Sequence, residues 1–93
     1  MDIKWQVSME VLSSKIDEEV ILMSLKGEYY FGLDPIGSSI WELLEQQPLS
    51  INELVKMLVA EYEVDEQTCR DDVKKFIDDM SEKKLILQVE DVT

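Results

Sequence analysis

No histidine occurs among the 93 residues of this chain, and only three residues are glycine. Without histidine, neither a Ser-His-Asp triad nor a Cys-His pair can activate a nucleophile, and zinc sites built on His/Cys clusters are excluded. None of the glycines forms a phosphate-binding GxGxxG or GxxxxGK loop. We therefore expect no catalytic residue, no metal and no cofactor, and the sequence argues against an enzyme.

Cysteine and long apolar runs are scarce as well. The single Cys69 excludes an internal disulfide, and a free thiol together with five methionines suits a reducing cytosol. No apolar run approaches the roughly 18 residues that a membrane span needs, and the N-terminus lacks the layout of a signal peptide. We expect one cytoplasmic domain over residues 1–93, with residues 90–93 as a frayed tail.

Basic residues are outnumbered, since 9 lysines and arginines face 21 acidic residues and the net charge is −12. Such a surface repels phosphate backbones, so we expect no nucleic-acid partner. The acidity either only keeps a small protein soluble or attracts a partner that carries Lys or Arg. The adjacent acids Asp71–Asp72 and Asp78–Asp79 splay apart around a predicted helix, which is typical of a solvated face rather than of a general acid/base pair.

The N-terminal third of the chain shows strand patterns. Alternating apolar residues predict a first strand over Gln6–Leu12, and the polar segment Ser13–Glu19 predicts a loop. The apolar run Val20–Leu25 predicts a second strand. A two-residue turn, Lys26–Gly27, then leads into a return strand, Glu28–Leu33.

A two-residue turn also fixes the register of this hairpin. It pairs Leu22 with Phe31 on one face and Met23 with Tyr30 on the other. The first face is assigned to the core. The second face is more apolar than a solvated sheet face needs to be. The core face consists of Val20, Leu22, Phe31 and Leu33, and the other carries Ile21, Met23, Leu25 and Tyr30.

Three helices follow, and each begins at a capping residue. Asp34 is placed to cap the first helix, with Pro35 at its first position. Ser50 and Glu53 form a capping box for the second helix, and Asp65 caps the third. The predicted ranges are about Pro35–Gln46, Ser50–Tyr62 and Glu66–Lys83, followed by a short last strand, Leu85–Val89. The sequence predicts an α+β fold, a winged helix-turn-helix with a three-stranded antiparallel sheet followed by three helices.

The ordered set of these motifs resembles the PqqD-like proteins, the leader-recognition domains of pathways that make ribosomally synthesised, post-translationally modified peptides. The resemblance covers roughly Val7 to Ile86. It is carried by the segments Tyr30–Gly37, Ile40–Leu44, Ile51–Val55, Val73–Ile77 and Lys84–Ile86.

The resemblance implies a winged helix-turn-helix protein that binds the leader of a precursor peptide. The leader adds as an antiparallel strand to the outer edge of the third strand, in a groove against the third helix. A free-standing acidic chain of this length looks most like the discrete leader-binding component of lasso-peptide pathways. That component hands the precursor to a separate leader peptidase before a cyclase closes the ring. Carried over to this sequence, the leader-binding residues are Glu28, Tyr29, Tyr30, Phe31, Gly32 and Leu33 on the edge, and Asp72, Val73, Phe76, Ile77 and Asp79 on the helix.

Physical reasoning supports this interpretation, because an unpaired strand edge offers amides and carbonyls that a partner chain can complete. Specificity must then come from side chains beside the edge. Carboxylates at Glu28, Asp72 and Asp79 would attract a basic residue, so the expected partner is a leader with basic and aromatic or apolar residues. Further expected partners are the leader peptidase and, beyond it, the cyclase of the pathway. The protein itself is expected to be a monomer or a weak dimer.

Several assignments have a plainer alternative. Tyr29, Tyr30 and Phe31 also suit a hydrophobic core with one exposed aromatic. Phe76 and Ile77 also suit the core side of a helix. Trp41 suits a core anchor of the first helix, and Gly37 suits close packing of that helix against a strand.

Other functions stay open beside lasso-peptide recognition. Stand-alone relatives also act as peptide chaperones in radical-SAM pathways. A winged-helix protein-interaction or transcription module would share the fold, but DNA recognition needs a basic third helix and this one is of mixed charge. A thiol enzyme would need an exposed, low-pKa Cys69, whereas the plainer interpretation is a small buried hydrophobe.

Overall fold

The structure is a computed structural model that describes residues 3–25 and 30–90. Within these ranges, the strands form two antiparallel sheets, ordered β5-β1-β6 and β2-β3-β4. No helix in the described ranges is long and apolar enough to cross a membrane. The elements in chain order are β1 (Ile3–Val7), β2 (Val11–Ile16), β3 (Glu19–Ser24), β4 (Tyr30–Gly32), α1 (Pro35–Gln46), β5 (Leu49–Ser50), α2 (Ile51–Glu61), α3 (Glu66–Glu82) and β6 (Ile86–Glu90).

The prediction of an α+β fold with three helices is confirmed, but the prediction of one three-stranded sheet is wrong. The predicted first strand, Gln6–Leu12, spans the end of β1 and the start of β2, and these two strands belong to different sheets. The predicted loop, Ser13–Glu19, contains most of β2. Since β1 pairs with β5 and β6 rather than with the hairpin, the winged helix-turn-helix description is not confirmed.

The missed strand β2 has a physical reason. Its turn into β3 is Asp17–Glu18, and both residues have positive φ (49° and 70°). Glycine usually occupies such positions in a tight turn, and because neither residue is glycine, the sequence gives no turn signal here. Ser13 and Lys15 face the charged flank of α1 instead of a core. Ser13 Oγ donates to Glu45, and Lys15 Nζ lies 3.1 Å from Glu42.

The register of the β3–β4 hairpin is confirmed where the structure describes it. Leu22 pairs with Phe31, Met23 with Tyr30 and Ile21 with Gly32. Val20, Leu22 and Leu33 are buried, as predicted for the core face. The predicted turn, Lys26–Gly27, and the side chain of Phe31 lie outside the described part of the structure.

All three helices lie where their caps predict. The carboxylate of Asp34 accepts from the amide of Gly37 at 2.7 Å, and Asp65 accepts from the amide of Thr68 at 3.0 Å. Ser50 and Glu53 form both bonds of the capping box. The amide of Ser50 is the main cause that lowers the pKa of the Glu53 carboxyl, and nearby Lys4, 3.6 Å away, lowers it further.

The hydrophobic core lies where the three helices pack on the inner faces of the two sheets. Trp41 is buried, as predicted for a core anchor of α1. The C-terminal strand begins one residue later than predicted and ends at Glu90, which was assigned to the tail. Residues 91–93 lie outside the described part. The core consists of Val20, Leu22, Leu33, Ile40, Trp41, Leu44, Leu49, Leu54, Val55, Leu58, Cys69, Val73, Ile77, Met80, Leu85 and Ile86.

A buried hydroxyl, that of Ser38, joins α1 to the hairpin. It accepts from the amide of Val20 at 2.9 Å and donates to the carbonyl of Leu33 at 3.2 Å. The amide of Leu33 donates directly to the carbonyl of Val20 at 2.8 Å. One direct and one relayed hydrogen bond therefore close the open end of the hairpin.

We predict that Ser38→Ala lowers the free energy of unfolding by about 2 kcal/mol, because it leaves a buried amide and a buried carbonyl without their partner. Chemical denaturation measures the change. The matched control is Ser39→Ala, which removes a half-buried hydroxyl that bonds Tyr62. Equal losses of unfolding free energy in the two variants would show that the buried Ser38 hydroxyl contributes no more than the half-buried Ser39 hydroxyl.

Candidate functional site

The edge of β4 is the first part of the candidate site. This strand pairs with β3 on one side, and no described strand pairs with its other side. Because the amide of Leu33 bonds to β3, strand alternation turns the backbone groups of Tyr30 and Gly32 toward the open edge. The Tyr30 side chain is 75% exposed. The edge thus offers unpaired donors and acceptors beside an exposed aromatic ring.

The second part is a cavity of about 280 Å³ between the start of α1 and the middle of α3. Asp34 follows Gly32 by two positions, so the lining of the cavity begins just beyond the C-terminal end of β4. We call this cavity the groove. Its lining is Asp34, Ile36, Gly37 and Ile40 from the start of α1, and Asp72, Lys75, Phe76 and Asp79 from α3.

Three carboxylates and the ammonium group of Lys75 line the groove beside apolar side chains, so its lining is acidic on balance. Its three carboxylates differ in the hydrogen bonds and ion pairs that they already make. Asp34 caps α1, and Asp79 accepts from Lys83 Nζ at 2.7 Å. Asp72 has no ion-pair partner within residues 3–25 and 30–90. Asp72 is therefore the carboxylate most available to a cationic ligand group.

The structure brings some of the predicted site residues together. Tyr30 and Gly32 lie on the open edge, and Asp72, Phe76 and Asp79 line the groove. Glu28, Tyr29 and the side chain of Phe31 lie outside the described part. That these residues bind a peptide stays a prediction.

Three other predicted site residues point into the core. Val73 and Ile77 are 0% and 1% exposed, and Leu33 is also buried. Their side chains support the site from beneath rather than forming its surface. A direct contact of Val73 or Ile77 with a ligand stays a prediction that this burial does not favour.

The α1 side of the groove was not predicted from the sequence. Asp34 and Gly37 were recognised only as a helix cap and a close-packing position. Gly37 does pack closely, but against α3 rather than against a strand. A Cβ at this position would lie 3.2 Å from Cε2 of Phe76 and 3.0 Å from Oδ1 of Asp34. This contact joins residues far apart in the sequence, so local patterns carry no signal for it.

The described residues contain neither a metal-binding cluster nor an exposed thiol. They include no group of three or more His, Cys, Asp and Glu side chains placed to hold a metal ion. Cys69 is buried, and desolvation raises the pKa of its thiol, with Asp72 adding to the rise. A buried thiol with a raised pKa is a poor nucleophile, as expected for a small core residue.

Comparison with known proteins identifies a family. Residues 19–86 match the family of coenzyme PQQ synthesis protein D (PqqD). No curated protein sequence matches at a significant level.

Two solved structures are similar to this one. The first, TbiB1 in complex with the TbiA(beta) leader peptide, is 40% identical, with a TM-score of 0.81, and the match covers 92% of this chain and 99% of that one. The second, lasso peptide synthetase B1 complexed with the leader peptide, is 19% identical, with a TM-score of 0.76, and the match covers 89% and 96%. At that identity the second shows a shared fold.

A double-mutant cycle tests the contact between Gly37 and Phe76. We expect Gly37→Ala to be less favourable in the native protein than in the Phe76→Ala background, by about 1 kcal/mol, because the added methyl group must displace the ring. Helix propensity favours alanine equally in both backgrounds, so it cancels in the cycle. Denaturant titration of the four proteins gives the coupling, and additive effects would contradict the close contact.

Proposed function

This chain belongs to the PqqD family, and we propose that it is a non-catalytic recognition protein for the leader of a ribosomal precursor peptide. The leader adds as an antiparallel strand to the β4 edge and places side chains in the groove. The open edge beside the groove is the observation that carries the proposal. The structure of TbiB1 with a leader peptide supports it, since that protein is 40% identical over nearly its whole length.

Backbone hydrogen bonds supply the sequence-independent part of the affinity. Tyr30 and Gly32 present their amides and carbonyls to an incoming strand, and pairing removes an otherwise exposed edge. β4 is short, and backbone bonds alone do not choose among peptides. Selection among peptides therefore depends on the leader side chains that reach the groove.

The groove suits a leader with apolar and basic residues. Ile36 and Phe76, both partly buried, provide apolar surface, while Asp72 provides a carboxylate without an ion-pair partner in the described residues. With a net charge of −12, the protein also attracts a basic segment before contact. Complementary charge raises the association rate more than the final affinity.

We further propose that the bound leader is presented to a separate leader peptidase in a lasso-peptide pathway, because this acidic sequence resembles the leader-binding components of such pathways. A surface suited to docking a second protein lies on the outer face of the β2-β3-β4 sheet. Leu12, Met23 and Tyr30 form a cross-strand row there, and all three are exposed. A strand added at β4 would extend this face with side chains of the leader.

The alternative is a peptide chaperone of a radical-SAM pathway, which the match to coenzyme PQQ synthesis protein D favours. Both functions use the same edge and groove, so they differ in the partner enzyme. The genes beside this one separate them. A short precursor, a peptidase and an asparagine-synthetase-like cyclase indicate a lasso pathway, whereas a radical-SAM enzyme indicates the alternative.

Proline at position 30 tests strand addition. The amide of Tyr30 points to the open edge, so Tyr30→Pro removes a donor for the leader without removing a bond to β3. We expect it to weaken binding of a synthetic leader from the adjacent precursor gene by tenfold or more, measured by isothermal titration calorimetry. Tyr30→Ala is the control, because it removes the ring and keeps the amide. If folded Tyr30→Pro binds no worse than Tyr30→Ala, strand addition at β4 is wrong.

Charge neutralisation in the groove tests the role of Asp72. We expect Asp72→Asn to slow the association of the same leader several-fold at low salt, because it removes the unpaired carboxylate of the groove. Asp78→Asn removes the same charge from the exposed face of α3 outside the groove and should have little effect. Stopped-flow fluorescence measures both rates. Equal slowing by both variants would assign the effect to net charge alone.

A further inference from the structure

A second open strand edge lies on β6, in the other sheet. This strand is the last in the order β5-β1-β6, and no described strand pairs with its outer side. The other two sheet edges are guarded: β2 carries Lys15 near its end, and β5 has only two residues. In contrast, β6 contains no lysine or proline, the usual protections of an exposed edge, and its one charged residue, Glu90, is its last.

The backbone groups that β6 turns outward follow from its pairing with β1. The amide of Ser8 donates to the carbonyl of Leu85 at 2.9 Å, so position 85 faces β1. The register continues with Gln6 opposite Leu87 and Lys4 opposite Val89. By alternation, Leu87 and Val89 also face β1, whereas the backbones of Ile86, Gln88 and Glu90 face the open side.

We propose that the occupant of this edge is β6 of a second copy of the chain, paired antiparallel about a twofold axis at Gln88. In this register Gln88 faces Gln88 of the second copy, and Ile86 faces Glu90 of the second copy. All outward-facing residues then lie opposite one another. Three such pairs with two hydrogen bonds each give about six backbone hydrogen bonds. A register shifted by one residue would place outward groups opposite inward ones.

The side chains agree with the same register. Leu87 lies opposite Val89 of the second copy, and this contact occurs twice because of the symmetry. Leu87 is 45% exposed in the single chain, so the pairing removes apolar surface from water. Glu90, the one charged residue of β6, lies opposite Ile86 of the second copy, so no like charges face each other directly. The result is a six-stranded sheet that continues through two copies and leaves the β4 edges free.

The net charge of −12 on each copy opposes the association. Two copies repel each other at low ionic strength, and salt screens that repulsion. The dimer is therefore weak, and its population rises with both protein concentration and salt. This dependence on salt is opposite to that of the charge-assisted leader binding proposed above.

Sedimentation velocity across a concentration series, at low and at moderate salt, tests the proposal on the native protein. We expect a monomer–dimer equilibrium that shifts toward the dimer as salt is added. Gln88→Pro removes the central outward amide but no bond to β1, so it should weaken dimerisation at least tenfold. Gln88→Ala keeps that amide and should dimerise as the native protein does.

Gln88→Lys provides a second, independent variant in case proline perturbs the strand. It places like charges opposite each other at the axis, yet it makes the net charge of each copy less negative. Weaker dimerisation of Gln88→Lys therefore supports pairing at position 88, and stronger dimerisation contradicts it. A native protein that stays monomeric throughout the series, or dimers that Gln88→Pro and Gln88→Lys leave intact, would overturn the proposal. Leader binding at β4 should be unchanged in all of these variants, so the two proposals fail separately.

Discussion

The hydroxyl of Ser38 joins the two parts of the candidate site, because it ties α1 to the end of the β3–β4 hairpin. In an ordinary antiparallel pair, Val20 and Leu33 would exchange two direct hydrogen bonds. Here the second bond passes through the hydroxyl, which accepts from the amide of Val20 and donates to the carbonyl of Leu33. A side chain of α1 therefore takes part in the last hydrogen-bonded pair of the hairpin. Since the groove begins at the first turn of α1 and the open edge lies on β4, this side chain links the elements that carry the two parts of the candidate site.

Local signals account for the parts of the fold that the sequence predicts correctly. Asp34, Ser50 and Asp65 each satisfy amides within three positions, so the helix starts can be read without tertiary information. The register of the β3–β4 hairpin follows from its turn length. The partition into two sheets depends on contacts between the ends of the chain, where β1 meets β6, and β2 lacks both a glycine turn and an apolar inner face. Propensity carries no signal for either feature.

The candidate site likewise combines residues that the sequence predicts with residues that only tertiary packing brings in. Tyr30 on the edge and Asp72, Phe76 and Asp79 on α3 were expected from the family resemblance, whereas Gly37 and Lys75 enter the groove through the packing of α1 on α3. Residues of one apolar helix stripe can also differ in burial. Val73 and Ile77 lie on the same helix as Phe76 and share its apolar character, yet they are buried in the core while Phe76 is only partly buried. Which side of the stripe stays accessible depends on the angle at which α1 crosses, and periodicity does not specify that angle.

The two proposals assign different partners to two of the four sheet edges, a foreign peptide to β4 and a second copy of the chain to β6. β4 is short and adjoins an acidic groove, so a second copy of this acidic chain would meet repulsion there while a basic peptide would not. β6 turns the backbones of Ile86, Gln88 and Glu90 outward at equal spacing about Gln88, so an identical antiparallel strand can pair with all three. Lys15 on β2 disfavours pairing of that edge with another strand, and β5, with two residues, is too short to pair stably. In both proposals, the chemistry beside each edge, rather than the exposure of its backbone, determines which partner the edge accepts.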